Sequence, residues 1–401
     1  MSTNNQAVSN AVSNAMYLLM FSFSISVMSL QILMTNIVDT FSLKGSMQAM
    51  MPAMSLLGGA AAVVLLPFIK GRIPKPSMLL ISAIVMGAAL AGLGFLKEVV
   101  IAILACFILG IFTGWIDTYT NSTIVDLHKK NSQKYVGYLQ ASFCIGAVGL
   151  PFFIHFLMTN ILLTWVGVCV VLGIIILITA AIFFFVARKH KETMKAESQE
   201  QKLTLIEVKT FAKDKFYLLM VVCYGCYCLS QNGISIWLFR YTQLTYPIYE
   251  LLPTLSVSLF WVGNFISRMF PSIFNTHQMK LFVYCMIISV VTHLIGIFSG
   301  NAAVFVIMTF IMSLASGLGF PVLINETLIH YHGNTSMALS GIYFSGKLGA
   351  FIIPLAMGAV AVSSLNIAMA LNDIMAAVSI VCAIIVIGLD KKPRPPVAQN
   401  A

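Results

Sequence analysis

Charge is what this chain has least of. Only 9% of its 401 residues are Asp, Glu, Lys or Arg, while 59% are hydrophobic; an ordinary soluble domain carries about 25% charged residues. A soluble chain of this length would fold as two or three domains with charged surfaces, and these few charges cannot coat them. That shortage excludes soluble enzymes, secreted modules and nucleic-acid readers. The chain also lacks the apolar–polar alternation of a barrel strand. Its polar N-terminus, MSTNNQAVSN, has no basic region and no small-residue cleavage site, so no cleaved signal peptide is expected. Its eight cysteines (Cys106, Cys144, Cys169, Cys223, Cys226, Cys228, Cys285 and Cys382) have no metal-site spacing and all fall in apolar segments, as packing residues do. No nucleophile–base set is present, so neither catalysis nor a cofactor is expected.

What the chain has instead is apolar runs of around twenty residues, the length that crosses a hydrocarbon core about 30 Å thick. Twelve can be placed, at 16–38, 47–69, 77–96, 99–125, 136–158, 161–187, 216–239, 251–271, 280–299, 302–329, 336–362 and 366–389. The chain therefore reads as an all-α, polytopic membrane protein. With the N-terminus inside, nineteen of the 23 Lys and Arg residues fall in cytoplasmic segments, three (Lys44, Lys97, Arg240) fall outside, and Lys347 lies within a helix. This bias puts both termini in the cytoplasm of a cell that carries the protein in its inner or plasma membrane. The net charge of +10 is thus a record of orientation and implies no nucleic acid.

One long polar stretch, 188–215, divides the chain into an N-terminal half, 1–187, and a C-terminal half, 216–401. It reads as a cytoplasmic linker that runs into a short interfacial helix. The halves match internally at an offset of 203 residues. Gly146-Ala147 before Pro151 recurs as Gly349-Ala350 before Pro354, and Gly114 recurs as Gly317. Two parallel six-helix halves, related by an axis along the membrane normal, fit that repeat.

Charges within hydrocarbon are costly and are functional candidates by default. Asp117 lies well inside segment four, where Gly110, Gly114, Asp117 and Asn121 share one helical face. Such a face suits protein or a water-filled cavity rather than lipid. Asp117 can take and release a proton there, or it can simply pair with a neighbouring helix. Lys347, in the middle of segment eleven, is either a counter-ion for Asp117 or Glu326, or a holder of an anionic substrate. Glu326 and Asp373 sit nearer the interfaces and are expected to be solvated or capping. Asp126 and Arg268 stand at helix ends, with Arg268 a topology or gate residue.

Uncharged polar groups form a second layer: Gln140 in segment five, Gln231, Asn232 and Trp237 in segment seven, Asn264 in segment eight and Asn325 in segment ten. Amides that donate and accept, beside rings with one polar handle, suit a polyhydroxylated solute such as a sugar. Each of them could equally tie two helices together.

The segments GWIDTYTNS and YLQASFCIGAVGLP, with YGCYCLSQNGISIWLFRY and LFWVGNFISRM, resemble the fucose-permease-like sugar branch of the major facilitator superfamily. The resemblance implies the major facilitator fold, with twelve transmembrane helices in two pseudo-symmetric halves. It implies a monomeric, proton-coupled importer working by alternating access, with Asp117 protonatable and Asn121 on the substrate. Gln140 stands where the family often has His and Gln231 where it often has Glu, so two titratable groups are missing from the cavity. The loop IKGRIPKP keeps Gly71 and Arg72 but lacks the family's Asp-Arg pair. The expected function is proton-coupled uptake of a small polar solute, with protons, solute and membrane lipid as partners. The alternatives are an exporter of drugs or metabolites by proton antiport, or an importer of an organic or sugar acid held by Lys347.

Overall fold

A computed structural model describes residues 3–69, 72–128, 132–190, 214–269, 278–331 and 335–389. All regular structure among them is helical, as it must be where no water can satisfy a backbone amide. The helices are α1 (Thr3–Ile32), α2 (Met34–Thr40), α3 (Met50–Ile69), α4 (Lys75–Leu93), α5 (Val99–Leu127), α6 (Ser132–Thr159), α7 (Trp165–Lys189), α8 (Lys215–Thr245), α9 (Leu252–Met269), α10 (Gln278–Phe298), α11 (Ala302–Ser316), α12 (Gly319–His330), α13 (Thr335–Val360) and α14 (Leu365–Leu389). A 3-10 turn, Gly45–Ala49, leads into α3. The twelve expected segments appear, with α1 and α2 forming the first and α11 and α12 the tenth. Of the expected linker and interfacial helix at 188–215, residues 191–213 lie outside the described residues, while α7 runs on through Lys189 and α8 already begins at Lys215.

Three departures from the apolar pattern have physical causes. Helix α1 starts well before its apolar run, because its early polar side chains have partners. Ser13 back-bonds to the Ser9 carbonyl at 2.9 Å and shares a 2.7 Å hydrogen bond with the His128 ring at the end of α5. Segment ten breaks at Gly317-Leu318, where a methyl group on Gly317 would lie 2.9 Å from the Asn264 Cα of α9. Eleven helical stretches are apolar and long enough to span a membrane. The twelfth span, α9, falls below them because it carries Ser256, Ser258, Asn264 and Ser267, all buried against other helices.

The two halves repeat each other in space as well as in sequence. Gly114 packs on Gly59 and Ala62 of α3, and its counterpart Gly317 packs on Asn264 and Ser267 of α9. Gly146 packs on Ser24 of α1, and Gly349 on Gly225 and Leu229 of α8. Helices α3 and α9 are each second in their half, and α1 and α8 are each first. Pro151 and Pro354 sit inside α6 and α13. Apolar side chains such as Ile101, Leu104 and Ile108 on α5 or Ile288, Val291 and Ile295 on α10 stay about half exposed, at helical spacing. They form an outward belt suited to lipid.

The halves meet through α3 with α13 and α6 with α9, and α1 touches α8. The inter-half hydrogen bonds among the described residues all lie at mid-depth or toward the end away from the termini. Ser235 donates to Gln31 Oε1 at 2.9 Å, Arg240 to Gln48 Oε1 at 3.1 Å, Ser258 to the Val148 carbonyl at 2.8 Å and Lys347 to Asp117 at 3.2 Å. Gly358 lets α13 approach the turn at Gly45, whose carbonyl oxygen would lie 2.8 Å from an added methyl. The bundle is therefore closed at the end away from its termini.

Candidate functional site

The glycine face of α5 determines what its polar residues can reach. A side chain on Gly110 would collide with the Ser55 carbonyl of α3, so the two helices pack backbone to backbone. That contact leaves the next turns, with Asp117 and Asn121, beyond α3 and facing α13. Asn121 Nδ2 donates to Asp117 Oδ1 at 3.1 Å and to the Asp117 main-chain carbonyl at 2.8 Å. Lys347 Nζ donates to Asp117 Oδ2 at 3.2 Å. Each carboxylate oxygen thus has its own donor, one from the same helix and one from the other half. The Lys347 stem crosses α3 at Gly59, where an added methyl would lie 3.7 Å from Nζ. The side chains are 24% (Lys347) and 28% (Asp117) exposed, open enough for water to deliver a proton and dry enough for the charges to feel each other.

A second group of polar atoms surrounds the break in segment ten. Ser316 Oγ donates to Gln231 Oε1 at 3.1 Å, and Tyr227 donates to the Ser316 carbonyl at 3.1 Å. Gln231 Nε2 has no acceptor among the described residues, nor have Trp261 Nε1 and Arg268 Nε. The Arg268 guanidinium carbon stands 6.0 Å from the Trp261 ring centre and 5.3 Å from that of Phe320, within cation–π range. Trp261 in turn meets Phe143 of α6 edge to face at 5.2 Å, across the two halves.

The other expected site residues are dispersed. Gln140 is half-buried on α6. Asn232 donates to the Cys228 carbonyl of its own helix at 2.8 Å. Trp237, 1% exposed, donates to the Pro354 carbonyl at 3.1 Å, and Asn264, 2% exposed, donates to the Phe260 carbonyl at 3.0 Å. In this conformation Trp237 ties α8 to α13, and Asn264 back-bonds within α9. Asn325 donates to Gln278 Oε1 at 2.8 Å, at the termini end of the C-terminal half. The structure brings together Asp117, Asn121 and Lys347, sets Gln231 in a neighbouring group, and leaves the rest apart.

Several acids depart from expectation. Glu326 and Asp373 are buried, not solvated. Asp373 pairs with His293 of α10 at 2.9 Å; the ring, alone among apolar neighbours in sequence, gave no sign of its partner on α14. Asp126 holds Lys75 at 2.7 Å, joining the starts and ends of α4 and α5 at the termini end. Arg268 is not simply a helix-end charge, because its head lies between two aromatic rings. The spacing of Trp261 and Arg268, seven residues on one face, was the signal for it.

With this geometry in hand, the comparisons are specific. A model of the Major Facilitator Superfamily matches residues 16–324. Against curated protein sequences the chain has no match. Among solved structures, a bacterial homolog of the human lysosomal transporter Spinster, in an inward-facing and occupied conformation, aligns with a TM-score of 0.66 at 12% identity, covering 96% of this chain and 98% of its own. A variant of the Escherichia coli fucose:proton symporter aligns at 0.65 with 17% identity, covering 93% and 98%. At these identities the likeness concerns the fold.

Proposed function

The chain belongs to the Major Facilitator Superfamily, and from that premise we propose that it takes up a small polar solute, such as a sugar, together with protons that bind at Asp117. Membership makes it a small-molecule transporter of twelve helices in two halves, not an enzyme. The observation that carries the finer reading is the Lys347–Asp117 pair, which links the two halves at mid-depth.

The chemistry follows from that contact. Ionised Asp117 holds Lys347 and ties α5 to α13. A proton on Asp117 cancels its charge, frees the ammonium and releases the tie, so protonation and movement of the halves are one event. Breaking a fully buried pair costs about 3–5 kcal/mol; with each partner about a quarter exposed, the effect here is about 1–3 kcal/mol. That is enough to shift a two-state equilibrium without locking it. Asn121 holds the carboxylate in place and offers its amide to solute. The spare donor of Gln231 and the half-buried amides of Gln140 and Asn232 supply further hydrogen bonds, with Trp237, Asn264 and Asn325 brought in as the halves rearrange.

The basic loops support cytoplasmic termini in an inner or plasma membrane, and a monomer suffices because the cavity forms between halves of one chain. In that orientation the conformation is inward-facing. The symport reading also draws on the fucose:proton symporter fold. Uptake of labelled hexoses, deoxyhexoses and sugar acids into reconstituted vesicles, with and without an imposed pH gradient, tests it. Gradient-driven accumulation that Asp117→Asn abolishes, with exchange partly retained, is expected. Accumulation indifferent to the gradient sinks proton symport, and movement only outward favours an exporter.

A further inference from the structure

Of the two cations Lys347 and Arg268, only Lys347 has an acid partner among the described residues. Ion pairs among the described residues are Lys75–Asp126, His293–Asp373 and Lys347–Asp117. Arg268 is in none of them, and its Nε is buried without an acceptor. A row of aromatic rings runs from Arg268 toward Lys347: Trp261 and Phe320 flank Arg268, Phe320 lies 6.4 Å from Tyr343, and Tyr343 stands one helical turn before Lys347. Nearby, Trp261 Nε1 and Gln231 Nε2 are further donors lacking acceptors.

We infer that Arg268 and Lys347 together seat the carboxylate of the transported solute, which is therefore a small monocarboxylate with a hydroxylated or ring-shaped body, such as a sugar acid. The inference rests on the proton-coupled reading of Asp117 and names its solute. A cation already neutralised by Asp117 cannot attract an anion strongly. A proton on Asp117 frees Lys347, so proton and carboxylate bind better together than either binds alone. The groups bonded to Asp117 fit this coupling: Lys347 from α13 and Asn121 from its own helix, with Gly59 and Ala62 of α3 packed on Gly114 one turn before it. The charges also balance. Empty, the site holds Asp117 ionised with two cations, a net of one positive charge; loaded, it holds neutral Asp117, two cations and one carboxylate, again one positive charge. Loaded and empty carriers thus return with equal site charge, and transport is electroneutral. The aromatic wall packs the body of the solute, and the spare amide and indole donors take its oxygens.

Thermal stability of the purified protein and uptake into proteoliposomes test this with glucuronate, galacturonate and benzoate against glucose and fucose. The expected result is that a carboxylate raises the melting temperature and neutral sugars do not. Its pH-gradient-driven uptake should be unchanged when the membrane potential is clamped at different values. Arg268→Gln should reduce that uptake at least tenfold, with Arg268→Lys partly restoring it; wild-type stabilisation and the Lys variant guard against a misfolded Gln variant. If none of the carboxylates stabilises the protein, or if a neutral sugar accumulates with the gradient and Arg268→Gln leaves it unchanged, the inference falls while proton coupling through Asp117 stands. Carboxylate exchange that ignores both the gradient and Asp117→Asn supports the seat but removes the proton reading.

Discussion

At the scale of residues, the contact that matters most is one salt bridge supported by an absence. Lys347 reaches Asp117 past Gly59, where an added methyl would lie in ordinary contact with the lysine, 3.7 Å from Nζ, and a longer side chain would fill its path. Gly59→Leu should therefore push Nζ off the carboxylate and reproduce the transport defect of Lys347→Gln without removing any charge. The test is uptake by the two variants side by side, and normal uptake in Gly59→Leu would count against the pair. If the two charges only neutralise each other, replacing both should recover more transport than replacing either. At the termini end, His128 is stacked on Tyr135 and hydrogen-bonded to Ser13, and burial lowers its pKa from the ordinary 6.5. Because the folded value is depressed, the unfolded chain takes up the proton first as the pH falls. The contribution of the neutral ring is full above about pH 6.5 and is lost as the pH drops through the lowered folded value. His128→Gln should flatten the acid side of the melting-temperature profile below about pH 6.5. Asp117 and Lys347 were legible in the sequence because a charge among apolar residues stands out whatever its partner. Trp237 and Asn264 looked like pocket residues from type alone. The phase of α8 against α13 made Trp237 a helix tie, and the close approach of α9 to Gly317 buried Asn264 on its own helix; neither is written in local spacing.

At the scale of elements, close approach governs which helices move as units. Helices α3 and α5 touch through Gly58, Gly110 and Gly114, where any side chain meets backbone or the Ala62 Cβ rather than a flexible tip. Gly110→Val should cost at least about 1–3 kcal/mol by overpacking, read as a fall in melting temperature, while Gly92→Ala, with open space around it, should cost far less. The spans themselves were readable because hydrocarbon forces every backbone amide into a helix. Less readable were the long start of α1, the break in segment ten and the polar character of α9. Each depends on a partner in another helix: His128 for α1, the α9 backbone for Gly317, and the buried contact between halves for the serines of α9.

At the scale of the whole molecule, the halves are joined at mid-depth and at the end away from the termini. That closure rests on few polar contacts, chiefly Arg240 on Gln48 and Ser235 on Gln31, with Gly358 against Gly45. Arg240→Gln combined with Ser235→Ala should loosen it. A cysteine introduced by Ser46→Cys should then react several-fold faster with an impermeant thiol reagent added from outside. The internal repeat was visible as a few matched glycines and prolines, and space makes it convincing because Gly114 and Gly317 each rest on the second helix of their own half. The account as a whole stands on the proposal that a proton on Asp117 unties the halves. Its most direct test is accumulation of solute against a concentration gradient in proteoliposomes under an imposed pH gradient, comparing the wild type with Asp117→Asn. The account predicts gradient-driven accumulation in the wild type, and in the variant none above equilibration, with exchange of solute across the membrane still measurable. Equal accumulation by both proteins would contradict it.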